Sequence, residues 1–63
     1  MSYKIGNRKI GDRVRVIQVP SGSKNIKVGD EGTIMNLLSA REYRIKLDSG
    51  IRVDLIARQF EKV

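Results

Sequence analysis

The feature that most constrains this chain is the alternation of apolar and polar residues along short segments. Residues 12–16 (Asp-Arg-Val-Arg-Val), 43–47 (Tyr-Arg-Ile-Lys-Leu) and 51–55 (Ile-Arg-Val-Asp-Leu) each place an apolar side chain at every second position. Because successive side chains of a β-strand point to opposite faces, each segment has one face suited to a core and one suited to solvent. The period of two therefore predicts three half-buried strands and an all-β fold.

A hairpin is predicted between the second and third of these segments. Asp48, Ser49 and Gly50 separate them, and a Gly at this place can adopt the left-handed conformation of a bulged hairpin loop. The two strands should therefore pair antiparallel, with Gly50 at positive φ.

The middle of the chain divides into a loop, a strand and a second loop. Residues 18–30 contain the only Pro together with small polar residues, so we expect a long exposed loop that adds little to the core. Residues 32–37 (Gly-Thr-Ile-Met-Asn-Leu) indicate a further strand with a less regular apolar pattern. Residues 38–42 could continue that strand, form a helical turn or form a loop, and we favour the loop.

The two ends of the chain differ in character. Residues 55–60 suggest one tight helical turn before a last short strand, residues 60–63. Residues 1–9 show no apolar period and carry three basic side chains, so a flexible basic arm is expected there. The predicted organisation is an arm followed by one domain over residues 10–63.

About five short strands separated by turns match a small antiparallel barrel, closed or nearly closed. Closure hides sheet edges, which benefits a chain of 63 residues. The alternative is an open meander that completes its core by dimerisation, so we expect a monomer or a weak dimer. The predicted core consists of Val14, Val16, Ile34, Ile45, Leu47, Val53 and Phe60.

Composition limits the chemistry. Cys and His are both absent, which removes disulfides, thiolate metal sites, the commonest metal ligand and the usual general base. We therefore expect no enzyme activity, no cofactor, no metal and no small-molecule substrate. No apolar run approaches the roughly 18 residues of a membrane span, and the start lacks the apolar core of a secretory signal. A cytoplasmic protein without a membrane partner is the expectation.

Two spaced motifs carry a family resemblance. Residues 10–16 (Ile-Gly-Asp-Arg-Val-Arg-Val) and residues 28–34 (Val-Gly-Asp-Glu-Gly-Thr-Ile) resemble the opening of SH3-like small barrels of the KOW type, found in ribosomal and transcription-elongation proteins. The later strands extend the resemblance over most of residues 10–63. The outline is also similar to that of the photosystem subunit PsaE and of the variable chain of ferredoxin:thioredoxin reductase. The resemblance implies an SH3-like barrel that binds either nucleic acid or a protein partner.

A basic surface is the main candidate site. Thirteen Lys and Arg against seven Asp and Glu leave a formal charge of +6, which favours anionic partners. Lys24 and Lys27 in the long loop are candidates for contacts beside the strand surface. The bland alternative is a solvated face on which Asp54 and Glu42 pair some of the arginines. The outward positions of the predicted strands carry five further candidates, namely Arg13, Arg15, Arg44, Lys46 and Arg52.

The few aromatic residues limit how a nucleic acid could be read. Tyr43 and Phe60 are in core phase, so no platform for base stacking is expected. Recognition should then depend on backbone charge and shape, which favours duplex DNA or structured RNA. The adjacent carboxylates Asp30 and Glu31, like Asp48 and Asp54 around the hairpin, are expected to serve turns and pairing.

Three functional hypotheses fit this pattern. The first is a non-catalytic nucleic-acid-binding module. The second is a docking subunit that presents the same basic surface to an acidic protein. The third is a small regulatory protein of phage origin that binds a host protein. Basicity and length are compatible with all three.

Overall fold

A computed structural model describes residues 8–63 and shows five antiparallel strands in one sheet. The sheet order is β4-β3-β2-β1-β5, so the last strand lies beside the first. The all-β prediction is confirmed, and each predicted strand segment is present. The strands are β1 Arg13–Val16, β2 Glu31–Leu37, β3 Glu42–Leu47, β4 Arg52–Ile56 and β5 Phe60–Lys62.

The sheet is not closed into a barrel. Strands β4 and β5 form its two edges, and within residues 8–63 they do not pair with each other. A 3₁₀ turn, Ala57–Gln59, joins these edges, as the sequence predicts. Because three residues span from one edge to the other, the sheet must curl until its edges approach. The Gln59 carbonyl at the end of this turn accepts the N–H groups of Ile17 and Gln18, which ties the turn to the residues that follow β1.

The core confirms most of the predicted residues and adds three. Val53 is half-buried and packs against the core rather than within it. Tyr43 lies in the core, as its phase in the sequence predicts, and its ring meets that of Phe60 edge to face at a centroid distance of 5.3 Å. The buried set in the described part of the chain comprises Val14, Val16, Ile26, Ile34, Tyr43, Ile45, Leu47, Leu55 and Phe60.

The long loop contributes to the core, contrary to expectation. Ile26 is buried against the sheet although its neighbours in the loop are exposed. The loop returns to β1 through two backbone hydrogen bonds, from Gly29 N–H to the Val16 carbonyl and from Val16 N–H to the Asp30 carbonyl. The apolar residues of the loop, Val19, Ile26 and Val28, are too few to form a period that could reveal which of them is buried.

An irregularity in β2 explains its imperfect alternation. Ile34 pairs with Ile45 and Asn36 pairs with Arg44, which leaves Met35 as an extra residue in the ladder. Such a β-bulge displaces the side-chain pattern and bends the strand. Asn36, which regular alternation would place inward two residues after Ile34, is therefore opposite Arg44 and exposed.

The predicted flexible arm falls mostly on residues 1–7, which lie outside the described residues. Its last two residues contact the domain. The Arg8 guanidinium lies 5.2 Å from the centroid of the Phe60 ring, and the Lys9 N–H donates to the Asp12 carboxylate. No helix in the described range has the length and apolarity needed to cross a membrane.

Candidate anion-binding surface

One row of side chains crosses four strands on the outer face of the sheet. Arg13 of β1 is directly opposite Thr33 of β2, Thr33 is opposite Lys46 of β3, and Lys46 is opposite Arg52 of β4. Directly opposed residues of antiparallel strands project from the same face. The register therefore brings together three of the five basic strand residues that the sequence nominated.

Arg13 is held by carboxylates. Its guanidinium makes two hydrogen bonds of 2.8 Å to Asp48 in the β3–β4 turn and lies 3.5 Å from Glu31. The hydrogen bond from Arg13 lowers the pKa of Asp48 below its ordinary value, and the same bond raises the pKa of Arg13. Two N–H groups of Arg13 are used by the two carboxylate oxygens of Asp48, so Arg13 is less available to an outside anion.

Arg15 stands between two acidic neighbours. It is opposite Glu31 on one side and Glu61 on the other, and its guanidinium lies 3.1 Å and 3.2 Å from their carboxylates. Charges of opposite sign therefore alternate across β5, β1 and β2, in the order Glu61, Arg15 and Glu31. At Arg15 the structure therefore matches the alternative to a binding surface, namely a solvated face on which the arginines are paired with carboxylates.

Arg44 is also paired. Its Nε and Nη2 atoms lie 2.9 Å and 3.2 Å from the Asp54 carboxylate, directly across the β3–β4 ladder. The hydrogen bond from Arg44 is the largest cause that lowers the pKa of Asp54. The sequence alternative that named Asp54 as a partner is correct for this arginine.

Lys46 and Arg52 differ from these three arginines. They are like charges directly opposite each other, and within residues 8–63 neither forms an ion pair. Like charges at opposed positions destabilise a sheet. The carboxylates two positions further along these strands, Asp48 and Asp54, pair with Arg13 and Arg44, so the row ends in an uncompensated pair.

The long loop adds a third basic side chain beside this pair. Lys24 and Arg52 line one groove of ≈ 160 Å³ between the loop and the start of β4, together with Ser23, Asn25, Ile26, Ile51 and Val53. The buried Ile26 holds this part of the loop against the sheet. Lys27 is exposed and does not line the groove, so the structure separates it from Lys24. We call Lys24, Lys46 and Arg52 the basic cluster.

Sequence reasoning missed two more basic side chains. Arg41 and Arg58 line a second groove, with Ile56 and Ala57, at the other end of β4. Neither residue lies on the outward phase of a predicted strand, and no sequence pattern places them together. Their meeting follows from the 3₁₀ turn, whose Ala57 N–H donates to the Arg41 carbonyl.

The carboxylates serve structure. Asp30 accepts the Lys27 N–H and Asp12 accepts the Lys9 N–H, each closing a short turn. The hydrogen bond from the Lys9 backbone N–H is the largest cause that lowers the pKa of Asp12. Asp12 also forms an ion pair with Lys62 at 3.4 Å. No cluster of three or more potential metal-ligating side chains occurs in the described range.

Comparison of the chain with protein-family models, with curated proteins and with solved structures gives no match.

Proposed function

We propose that this protein is a non-catalytic nucleic-acid-binding module whose contact surface is built on the basic cluster. The observation that supports this is the uncompensated pair of Lys46 and Arg52, opposed on neighbouring strands while every nearby carboxylate is used elsewhere. Such a pair costs stability in the free protein. A phosphate between the two side chains would remove that cost and would be bound by charge-assisted hydrogen bonds.

Recognition on this surface depends on the nucleic-acid backbone. Tyr43 and Phe60 are buried in the core and offer no ring to a base. Phosphate contacts position a protein on nucleic acid and carry no sequence information directly. We therefore propose binding that is largely indifferent to sequence and strongly dependent on salt.

The structure revises the roles that we propose for the other candidates. Arg13, Arg15 and Arg44 stabilise the sheet through their carboxylate partners and contribute little to a ligand. Lys27 remains a loop charge apart from the cluster. The proposed contact set is thus smaller than the set of basic residues nominated from the sequence.

The KOW-type assignment is part of this proposal. Gly11 and Gly29 stand at the entry to β1 and β2 in left-handed conformations, with φ values of 98° and 100°. A KOW-like motif would require such turns, and the order of the strands suits a small SH3-like sheet. These features support the resemblance.

A salt titration tests the proposal. We expect the parent protein to bind a short blunt-ended DNA duplex, with log K falling as log salt rises. The double variant Lys46→Gln/Arg52→Gln should make this slope shallower by about 1.8, because each lost phosphate contact on duplex DNA changes it by about 0.9. The matched control Lys9→Gln/Lys27→Gln removes two charges outside the cluster and should leave the slope close to that of the parent.

Two outcomes would contradict the proposal. One is a parent protein that binds neither duplex DNA nor duplex RNA at low salt. The other is an equal change of slope in both double variants, which would show that net charge alone governs binding.

Docking to an acidic protein is the second candidate function. It is favoured by an exposed apolar strip, Met35, Leu37 and Leu38, at the end of β2. Exposed apolar groups that adjoin polar surface are typical of protein interfaces. Tight binding to one acidic protein, together with no binding to nucleic acid, would favour this function.

A further inference from the structure

A second basic groove lies at the end of β4 remote from the basic cluster. It has a volume of ≈ 210 Å³, with Arg41 and Arg58 among its walls and Ile56 and Ala57 as its apolar part. Within residues 8–63, neither arginine forms an ion pair. Two unpaired guanidinium groups beside one groove are suited to an oxyanion, because their planar donor forks match phosphate.

Backbone hydrogen bonds build this groove. The Ala57 N–H donates to the Arg41 carbonyl at 3.1 Å, which ties the 3₁₀ turn to the start of β3. The Ile56 N–H donates to the Gln59 carboxamide oxygen at 3.0 Å, which fixes the entry to the turn. The side chains of Arg41 and Arg58 take no part in these bonds, so the groove does not depend on either guanidinium for its shape.

Ile56, which lines this groove, projects from the same face of the sheet as Arg52 of the basic cluster. Arg52, Asp54 and Ile56 occupy alternate positions of β4 and therefore project to one side. The four steps from Arg52 to Ile56 correspond to about 13 Å along the strand. Between the two basic sites lies the mutually neutralised pair of Arg44 and Asp54. The outer face of the β3–β4 hairpin thus carries two pairs of basic residues with a neutral centre, and Glu42, opposite Ile56, is a carboxylate on this face beside the second pair.

This spacing fits phosphates on the two sides of a duplex groove. The grooves of B-DNA are about 6 Å and about 12 Å wide, and long basic side chains adjust their reach by several ångströms. Two phosphates four steps apart on one strand are also separated by about 14 Å along the helix axis, at 3.4 Å per step. However, the DNA helix turns by about 140° over four steps, because it repeats every 10 to 10.5 base pairs, so the second of these phosphates points away from the protein. Phosphates on opposite sides of a groove therefore fit the two sites better than phosphates of one strand.

We propose that the Arg41–Arg58 groove is a second phosphate-binding site and that the two sites together grip a nucleic-acid duplex across one of its grooves. This inference rests on the proposed function, since it takes the basic cluster as the first contact. The neutral pair of Arg44 and Asp54 faces the groove between the two phosphate backbones.

The double variant Arg41→Gln/Arg58→Gln tests this site. In salt titrations with a short blunt-ended DNA duplex, we expect its slope of log K against log salt to be shallower than that of the parent by about 1.8. The control variant Lys9→Gln/Lys27→Gln carries the same net charge and should keep the parent slope. We also expect the ratio of duplex to single-strand affinity to fall in the Arg41→Gln/Arg58→Gln variant and to stay unchanged in the control variant. Its melting temperature should match that of the parent, because neither side chain makes an ion pair.

The outcomes separate this inference from the proposed function. If the parent binds the duplex and Arg41→Gln/Arg58→Gln has the slope of the control, the second site is wrong while the basic cluster stands. If the slope changes but the duplex to single-strand ratio does not, the grip across a duplex groove is wrong. If the parent binds no nucleic acid, the proposed function fails first.

Discussion

Gly32 shows how a single residue controls the approach of two strands. A Cβ atom at this position would lie 2.5 Å from the Lys46 carbonyl oxygen and 2.8 Å from the Leu47 Cα atom, both of which belong to the β3 backbone. Gly50 is required for a different reason. Its φ is +100°, which disfavours other residues, but the space around it is open. The sequence predicts the conformation of Gly50 from its turn, whereas the close contact at Gly32 depends on the register with β3.

These two causes predict different responses to substitution. Gly32→Ala should destabilise the fold by about 1 to 3 kcal/mol, because the methyl group meets backbone that can move only with the ladder. Gly50→Val should also destabilise it, whereas Gly50→Asn should keep most of the stability because Asn tolerates the left-handed region. Chemical denaturation of the three variants measures these effects. A Gly32→Ala variant as stable as the parent would contradict the close approach of β2 and β3.

At the scale of elements, the strands and the β3–β4 hairpin could be read from the sequence, whereas the other strand partnerships could not. Alternation placed Arg15 and Arg44 on outward faces correctly, because it depends only on local backbone geometry. The pairing of Arg15 with Glu61 follows from the register between β1 and β5, which no local pattern contains, whereas the predicted hairpin already brings Asp54 close to Arg44. The candidate site was therefore half predictable. Its residue types were visible, but which cations remain uncompensated depends on tertiary pairing.

The long loop tests how elements position the site. Ile26 is the buried anchor that holds the groove of Lys24 and Arg52 against the start of β4. Ile26→Ala should cost about 2 to 5 kcal/mol if the loop cannot collapse onto the cavity. It should also weaken duplex binding, because Lys24 is then no longer held beside Arg52. Ile26→Val should have a smaller effect on both.

Thermal melting and duplex titration of these two variants provide the measurement. Lys24→Gln in the parent background gives the affinity expected when the loop contact alone is lost. If Ile26→Ala lowers the melting temperature and leaves duplex affinity unchanged, the loop does not position Lys24 for binding.

For the whole molecule, the distribution of charge is more informative than its sum. The formal charge of +6 is compatible with many partners. The fold uses most carboxylates to neutralise β1 and the centre of the β3–β4 hairpin, and this leaves uncompensated cations at the two ends of that hairpin. The curled sheet concentrates these cations on one outer face. The arginines that form ion pairs in the sheet, Arg13, Arg15 and Arg44, are therefore different residues from those that we propose to bind phosphate.

This separation predicts how stability responds to acid. The pKa values of Asp48 and Asp54 are lowered in the folded state, chiefly by hydrogen bonds from Arg13 and Arg44. A carboxyl whose folded pKa lies below its unfolded value of about 3.9 stabilises the fold fully above that value, and this contribution is lost as pH falls through the folded pKa. The melting temperature should thus decline from about pH 5 to about pH 2. Asp48→Asn/Asp54→Asn should melt lower at neutral pH and lose less on acidification, so that the two curves approach each other at the acid end. Parallel curves for parent and variant would show that these pairs do not cause the acid sensitivity.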